Sequence, residues 1–147
     1  VAVHLHAGAR QGRPAPGRGM SHTGHCLCGA IGFAFDGPVT WVLHCHCESC
    51  RRATASPMTT FVSVPDAQLA WSGATPAAFA SSPGVTRGFC PTCGSPLSYR
   101  NDSLPGETHL YVALLDDPGA FTPEGHDFLE ERIVWMQPLP DTRTPHA

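Results

Sequence analysis

Seven cysteines stand in three clusters, Cys26-Leu27-Cys28, Cys45-His46-Cys47-Glu48-Ser49-Cys50 and Cys90-Pro91-Thr92-Cys93. Residues two apart on an extended segment point the same way, so a C-x-C pair presents both sulfurs on one side. A C-x-x-C pair folds into a knuckle whose backbone amides face the thiolates. Gly29 and Gly94 directly follow two of the clusters and let the chain turn tightly behind a metal. This is the chemistry of a thiolate metal site. Structural zinc takes four ligands, and seven sulfurs divide as four plus three, one site closed and the other open. Spacing permits two divisions. One joins the knuckles Cys47/Cys50 and Cys90/Cys93 as a zinc ribbon; the other joins Cys26/Cys28 to Cys90/Cys93 and leaves Cys45, Cys47 and Cys50 as a trio. The second is favoured, because three thiols so close in sequence reach one metal without help from elsewhere. Disulfide pairing is disfavoured: an odd count leaves one thiol over, and a C-x-C pair is too strained to bridge readily.

An open three-thiolate zinc keeps a position for water or substrate, and a thiol entering it loses its proton and becomes a nucleophile. That suits addition of a thiol to a carbonyl, and the reverse cleavage of a carbon–sulfur bond. Arg51 and Arg52 follow Cys50 at once. They are candidates to offset the negative charge of the trio or to hold a substrate carboxylate, against the plainer expectation of pairing with Glu48 or solvent. His44 and His46 alternate with Cys45 and Cys47 and are expected to face away from the sulfurs. Trp41, Phe61, Trp71 and Phe89 sit in alternating segments and are expected in the core.

The elements that must position these groups are short strands. Charged residues are 14% of the 147 and glycine and proline number 15 each, a composition that argues against a helical bundle or coiled coil. Strands are expected over 30–35, 40–45, 59–64, 68–71, 77–81, 86–90, 97–100, 109–115 and 132–136, with turn residues between them. Helical turns are expected at 48–54 and 124–131. The chain is read as one all-β domain over 21–140 with a tail at 141–147. Residues 1–20 are rich in Gly, Ala, Pro and Arg and contain no acid. They are expected to be a disordered leader, an upstream extension ahead of a start at Met20, since their prolines would break the helix of a transit peptide.

Composition also limits the partners. No apolar run approaches the ~20 residues of a membrane span. All nine basic residues are arginines; from Ser21 onward six of them face twelve acids, a formal charge of −6. Thiolate-bound zinc would leave the domain more acidic still, so a nucleic-acid backbone is an unfavourable partner. Reduced thiols place the chain in the cytoplasm.

The order of motifs carries a resemblance. GHCLCGAIGF, HCHCESCRRATASP, SSPGVTRGFCPTCGSPLSYR and LYVALLDDP, with His126 and Trp135 following, are similar to the family of glutathione-dependent formaldehyde-activating enzymes and centromere protein V, over about residues 22 to 140. The resemblance implies a β-tent fold of antiparallel sheets and two zinc ions per chain. It implies Cys26, Cys28, Cys90 and Cys93 as structural ligands and Cys45, Cys47 and Cys50 as ligands of an active-site zinc. His126 matches a family position near that site and is a candidate proton carrier. The name-giving enzymes, which condense formaldehyde with glutathione, are longer at the C-terminus, so fold and metals carry over more directly than substrate. The resulting expectation is a carbon–sulfur lyase or thiol-adduct enzyme acting on a small-molecule thiol or thiol adduct such as glutathione's. The rival is a non-catalytic, zinc-stabilised binding module, which a fourth protein ligand on the second zinc would favour. A methionine sulfoxide reductase of the B type ranks last, because it needs a reactive cysteine outside the metal sites.

Overall fold

The computed structural model describes residues 22–137. The expected leader and tail, residues 1–20 and 141–147, lie outside them. Ten strands, one α-helix and four single 3₁₀ turns make up the described chain. The strands are β1 (His22–His25), β2 (Ile31–Phe35), β3 (Trp41–Cys45), β4 (Thr59–Pro65), β5 (Leu69–Gly73), β6 (Ala77–Ser82), β7 (Val85–Phe89), β8 (Pro96–Asn101), β9 (Glu107–Tyr111) and β10 (Gly125–Asp127), and the helix is α1 (Glu48–Thr54). They form a three-stranded sheet in the order β1-β2-β5 and a seven-stranded sheet in the order β10-β3-β4-β9-β8-β7-β6. The all-β class is as expected. All pairings are antiparallel except β10 with β3, which is parallel and makes the larger sheet mixed.

Alternation explains the smaller sheet. Ile31, Phe33 and Phe35 are buried on one side of β2 while Gly32 and Ala34 stay nearer the surface. Phe33 and Phe35 meet Val42, Val62, Val64 and Leu110 from the larger sheet and Val112 just beyond it, and this contact is the main core. The central strands of the larger sheet are buried on both faces: β3 and β9 expose little beyond their first residue. Burial on both faces takes in polar residues too: His44 on β3 and Thr108 and His109 on β9 are buried. The outer strand β6 is mostly exposed.

Three expectations change. The strand expected over 109–115 stops at Tyr111, where a 3₁₀ turn, Val112–Leu114, bends the chain. The bend buries Val112 and Leu115 and lets Leu115 bridge Gly24 of β1, which ties the small sheet to the large one. The strand expected over 132–136 does not form. The edge beside β3 is taken by β10 instead, and Val134 and Trp135 are 90% and 63% exposed. The helical turn expected over 124–131 is split into β10 and a 3₁₀ turn, Leu129–Glu131, with Phe128 in the left-handed region between them. Of the aromatic residues expected in the core, Phe61 is buried, Trp41 and Phe89 are partly buried, and Trp71 is 38% exposed against the edge of Phe33.

Removing the ring of Phe35, which is 0% exposed, should therefore cost about 3–5 kcal/mol in Phe35→Ala. The same change at Phe79, 61% exposed on β6, should stay within about 0.5 kcal/mol. Denaturant unfolding of the two variants beside the parent checks the pair, and equal losses would contradict this placement of the core.

Candidate metal centres

The seven sulfurs come together in two groups. Those of Cys26, Cys28, Cys90 and Cys93 all lie within 4.8 Å of one another, and so do those of Cys45, Cys47 and Cys50. The first group is built from two matching turns. Gly29 N–H donates to the Cys26 carbonyl at 3.0 Å and Gly94 N–H to the Cys90 carbonyl at 2.8 Å. Both glycines are left-handed, with φ of 76° and 77°, which an L side chain adopts only with strain. Backbone and side-chain groups then surround the sulfurs: Ile31 N–H donates to Cys26 Sγ at 3.4 Å, and Cys93 Sγ lies 3.3 Å from Ser95 Oγ, which also accepts from Leu27 N–H. Cys26 and Cys90 are fully buried beside Ile31 and Leu97, whereas Cys28 is exposed.

The donor set fits a tetrahedral metal. Four sulfurs bound at about 2.3 Å stand about 3.8 Å apart. Cys26 and Cys28 are 3.5 Å apart, and Cys28 and Cys90 are 3.8 Å apart. Without a cation such crowding divides the thiols. Against its burial, hydrogen bonds from Ser95 and Cys28 hold Cys93 at about 6. Against the amide of Ala30, partial desolvation and the sulfurs of Cys26, Cys93 and Cys90 push Cys28 up to about 12. A divalent ion relieves that conflict for all four.

The trio is positioned by the end of β3 and the start of α1. Cys47 is the N-cap of the helix, and its sulfur accepts from Cys50 N–H at 3.3 Å. The hydrogen bond from Cys45, helped by Cys47 and by the Arg87 guanidinium, holds Cys50 at about 5, against its burial. Cys45 is pushed up in turn by Cys50. Phe61 and Tyr111, with Trp41 and Tyr99 packed against them, form an aromatic wall beside the sulfurs. Burial raises Tyr111 to about 12, so its phenol keeps its proton at neutral pH. Among the described residues no further His, Cys, Asp or Glu ligand atom joins this group.

The remaining candidates are placed as follows. Arg51 donates through Nε to the His46 carbonyl at 3.0 Å and through Nη2 to the Glu131 carbonyl at 3.3 Å, clamping the trio segment to the chain beyond β10. Arg52 pairs with Glu48 at 2.7 Å on the exposed face of α1. His44 and His46 are buried, and neither joins the sulfurs of the trio. His126, opposite His44 in the β10–β3 pairing, completes a buried stack with ring centroids 5.0 Å from His44 and 5.1 Å from His46. His46 Nε2 and His126 Nδ1 are 2.9 Å apart. Burial first, then the neighbouring imidazoles, holds His44 below its usual range; burial also lowers His46.

Sequence reasoning missed Arg87. Successive pairings align Arg87 with Tyr99, Tyr99 with His109, His109 with Ser63 and Ser63 with Trp41. Directly paired residues share a face of a sheet, and so do residues two apart. Arg87 therefore lies on the face that carries Cys45. Only the register of five strands reveals this. Two open clefts lie elsewhere, around Trp71, Thr86 and Arg100 and around Asn101 to Glu107, and neither is lined by a cysteine.

The model of the family described as glutathione-dependent formaldehyde-activating enzyme matches residues 21–131. The chain belongs to that family. A protein of this glutathione-dependent formaldehyde-activating family is thus the setting for both sulfur groups, which fall inside the matched span. No curated protein matches the chain. Among solved structures it is similar to a Rhodobacter sphaeroides protein at a TM-score of 0.59 and 20% identity, covering 71% of this chain and 99% of that one. At that identity the likeness speaks for the fold.

The two groups should differ in what they hold up. Cys93→Ser should unfold the domain, because binding by four thiolates is folding free energy of order 10 kcal/mol. Cys47→Ser should keep the fold and lose one metal. Circular dichroism melting with metal analysis checks both, and equal unfolding by the two variants would contradict the division.

Proposed function

We propose that the chain is a cytoplasmic, zinc-dependent carbon–sulfur lyase or thiol-adduct enzyme. Its substrate is a small-molecule thiol adduct such as that of glutathione with an aldehyde. The observation that carries the reading is the trio, three sulfurs gathered within 4.8 Å and joined by no fourth ligand atom among the described residues. Zinc held there by Cys45, Cys47 and Cys50 would supply a Lewis acid that makes an incoming thiol nucleophilic at neutral pH. In this reading Cys26, Cys28, Cys90 and Cys93 hold a second, structural zinc.

The reaction is addition of a thiol sulfur to an aldehyde carbon, in which a carbon–sulfur bond forms and the carbonyl oxygen takes the proton that the thiol gives up, or its reverse. Cys45, Cys47 and Cys50 hold the site, and the wall of Phe61, Tyr111, Tyr99 and Trp41 keeps water from its inner side. Arg51 fixes the trio segment through two backbone carbonyls. Arg52 is the residue that can exchange its exposed Glu48 partner for a substrate carboxylate, since a surface ion pair is worth at most about 1 kcal/mol. His126, on β10, pairs with His44 and so lies on the sheet face opposite Cys45, and a proton role for it runs through His46.

Cobalt in place of zinc makes the site visible. Glutathione should change the sulfur-to-cobalt absorption of the wild-type protein at millimolar concentration. Arg52→Ala should weaken glutathione several-fold, about the worth of one exposed charge-assisted contact, and leave 2-mercaptoethanol unchanged. A spectrum indifferent to every thiol means a closed site, and the chain would then be a zinc-stabilised binding module.

A further inference from the structure

Arg87 is partly buried on β7, and no carboxylate among the described residues pairs with it. Its Nη1 and Nη2 atoms each lie 3.7 Å from Cys50 Sγ, within hydrogen-bonding range for sulfur. Two further contacts fix the side chain. Nε donates to Ser81 Oγ at 3.2 Å, and the guanidinium carbon sits 5.1 Å from the centroid of the Tyr99 ring. Tyr99 is itself stacked on His109, with centroids 5.4 Å apart and planes at 20°. A guanidinium taken partly out of water needs a counter-charge, and the one that faces it is the sulfur of the trio.

We propose that Arg87 is the positioning residue of the trio: its fork donates to Cys50 Sγ, offsets the site's negative charge, and so allows an anionic thiol to enter as fourth ligand. The inference rests on the open-zinc reading above. Three thiolates around a divalent ion carry one net negative charge, and a fourth thiolate would double it. With Arg87 in place the resting site is neutral, so the incoming anion meets no repulsion. The donated hydrogen bonds also draw electron density from Cys50, which leaves the metal a stronger acceptor for the entering sulfur. Arg87 acts through Cys50 and needs no contact with substrate. Its charge therefore serves every thiol alike, unlike that of Arg52.

The test uses the cobalt-loaded protein, with the spectrum of Cys47→Ser subtracted so that the four-sulfur site drops out. Without added thiol, Arg87→Gln should move the sulfur-to-cobalt bands to longer wavelength, because sulfur electrons no longer stabilised by the guanidinium are easier to excite. Arg87→Lys, which keeps the charge but not the fork, should fall between the two. Ser81→Ala, which frees the other end of the side chain, should shift the bands the same way by less, and it carries the test should Arg87→Gln fold poorly. In titrations Arg87→Gln should weaken glutathione and 2-mercaptoethanol equally, by about tenfold, as expected for loss of one charge-assisted hydrogen bond. Bands that stay in place in Arg87→Gln and Ser81→Ala overturn the role of Arg87, whether or not thiols bind. A tenfold loss confined to glutathione overturns it too, since that would make Arg87 a carboxylate contact. If the bands move as expected but no thiol perturbs the wild-type spectrum, the open-zinc reading fails while the Arg87–Cys50 interaction stands.

Discussion

Four sulfurs gathered within 4.8 Å of one another are the constraint on which this fold depends. The Cys26/Cys28 turn enters the three-stranded sheet at β2, and the Cys90/Cys93 turn joins β7 to β8 in the seven-stranded sheet. Bringing them together ties one sheet to the other beside the Ile31 end of β2. Cys26 and Cys90 are fully buried among Ile31 and Leu97, so the knot is also a small core. Leu114, in the bend after β9, packs against this cluster, the main core and the wall of the trio. A domain of this size with an exposed outer strand has modest apolar burial to draw on, and a metal bound at the knot would supply what the strands alone do not.

The trio depends on the knot at one remove. The β7–β8 turn that carries Cys90 and Cys93 is continuous with the strand that carries Arg87. Fixing that turn sets the register of β7 on β8, and through β9 and β4 the distance from Arg87 to the end of β3. The guanidinium then reaches Cys50 from a strand four places away in the sheet. The four-sulfur group and the trio are thus linked by sheet geometry rather than by shared residues. On the other side of β3, the stack of His44, His46 and His126 backs the trio segment and anchors β10.

Much of this was legible in the residues. The grouping of three cysteine clusters, the alternation of Ile31, Phe33 and Phe35, and the short helix at 48–54 are local patterns, and local patterns survive the reading of a single chain. What was not legible depends on pairing. β1 is four residues of HTGH with little apolar signal, and it becomes a strand only because β2 lies beside it. Residues 132–136 have β-branched and aromatic composition yet pair with no strand. Gly125–Asp127 has no strand-like composition and takes the edge beside β3 through three residues of parallel pairing. Arg87 is the clearest case. Arg51 and Arg52 adjoin Cys50 in sequence, but the helix turns Arg52 outward to Glu48 and Arg51 to backbone carbonyls, while the arginine that meets the sulfur arrives from 37 residues away.

The central claim is that this chain holds one closed and one open thiolate zinc. Anomalous diffraction at the zinc edge from crystals of the metal-loaded protein tests it most directly. The account predicts two peaks per chain, one enclosed by Cys26, Cys28, Cys90 and Cys93, the other bound by Cys45, Cys47 and Cys50 with its fourth ligand from solvent. A single peak, or a protein side chain completing the second site, would contradict it.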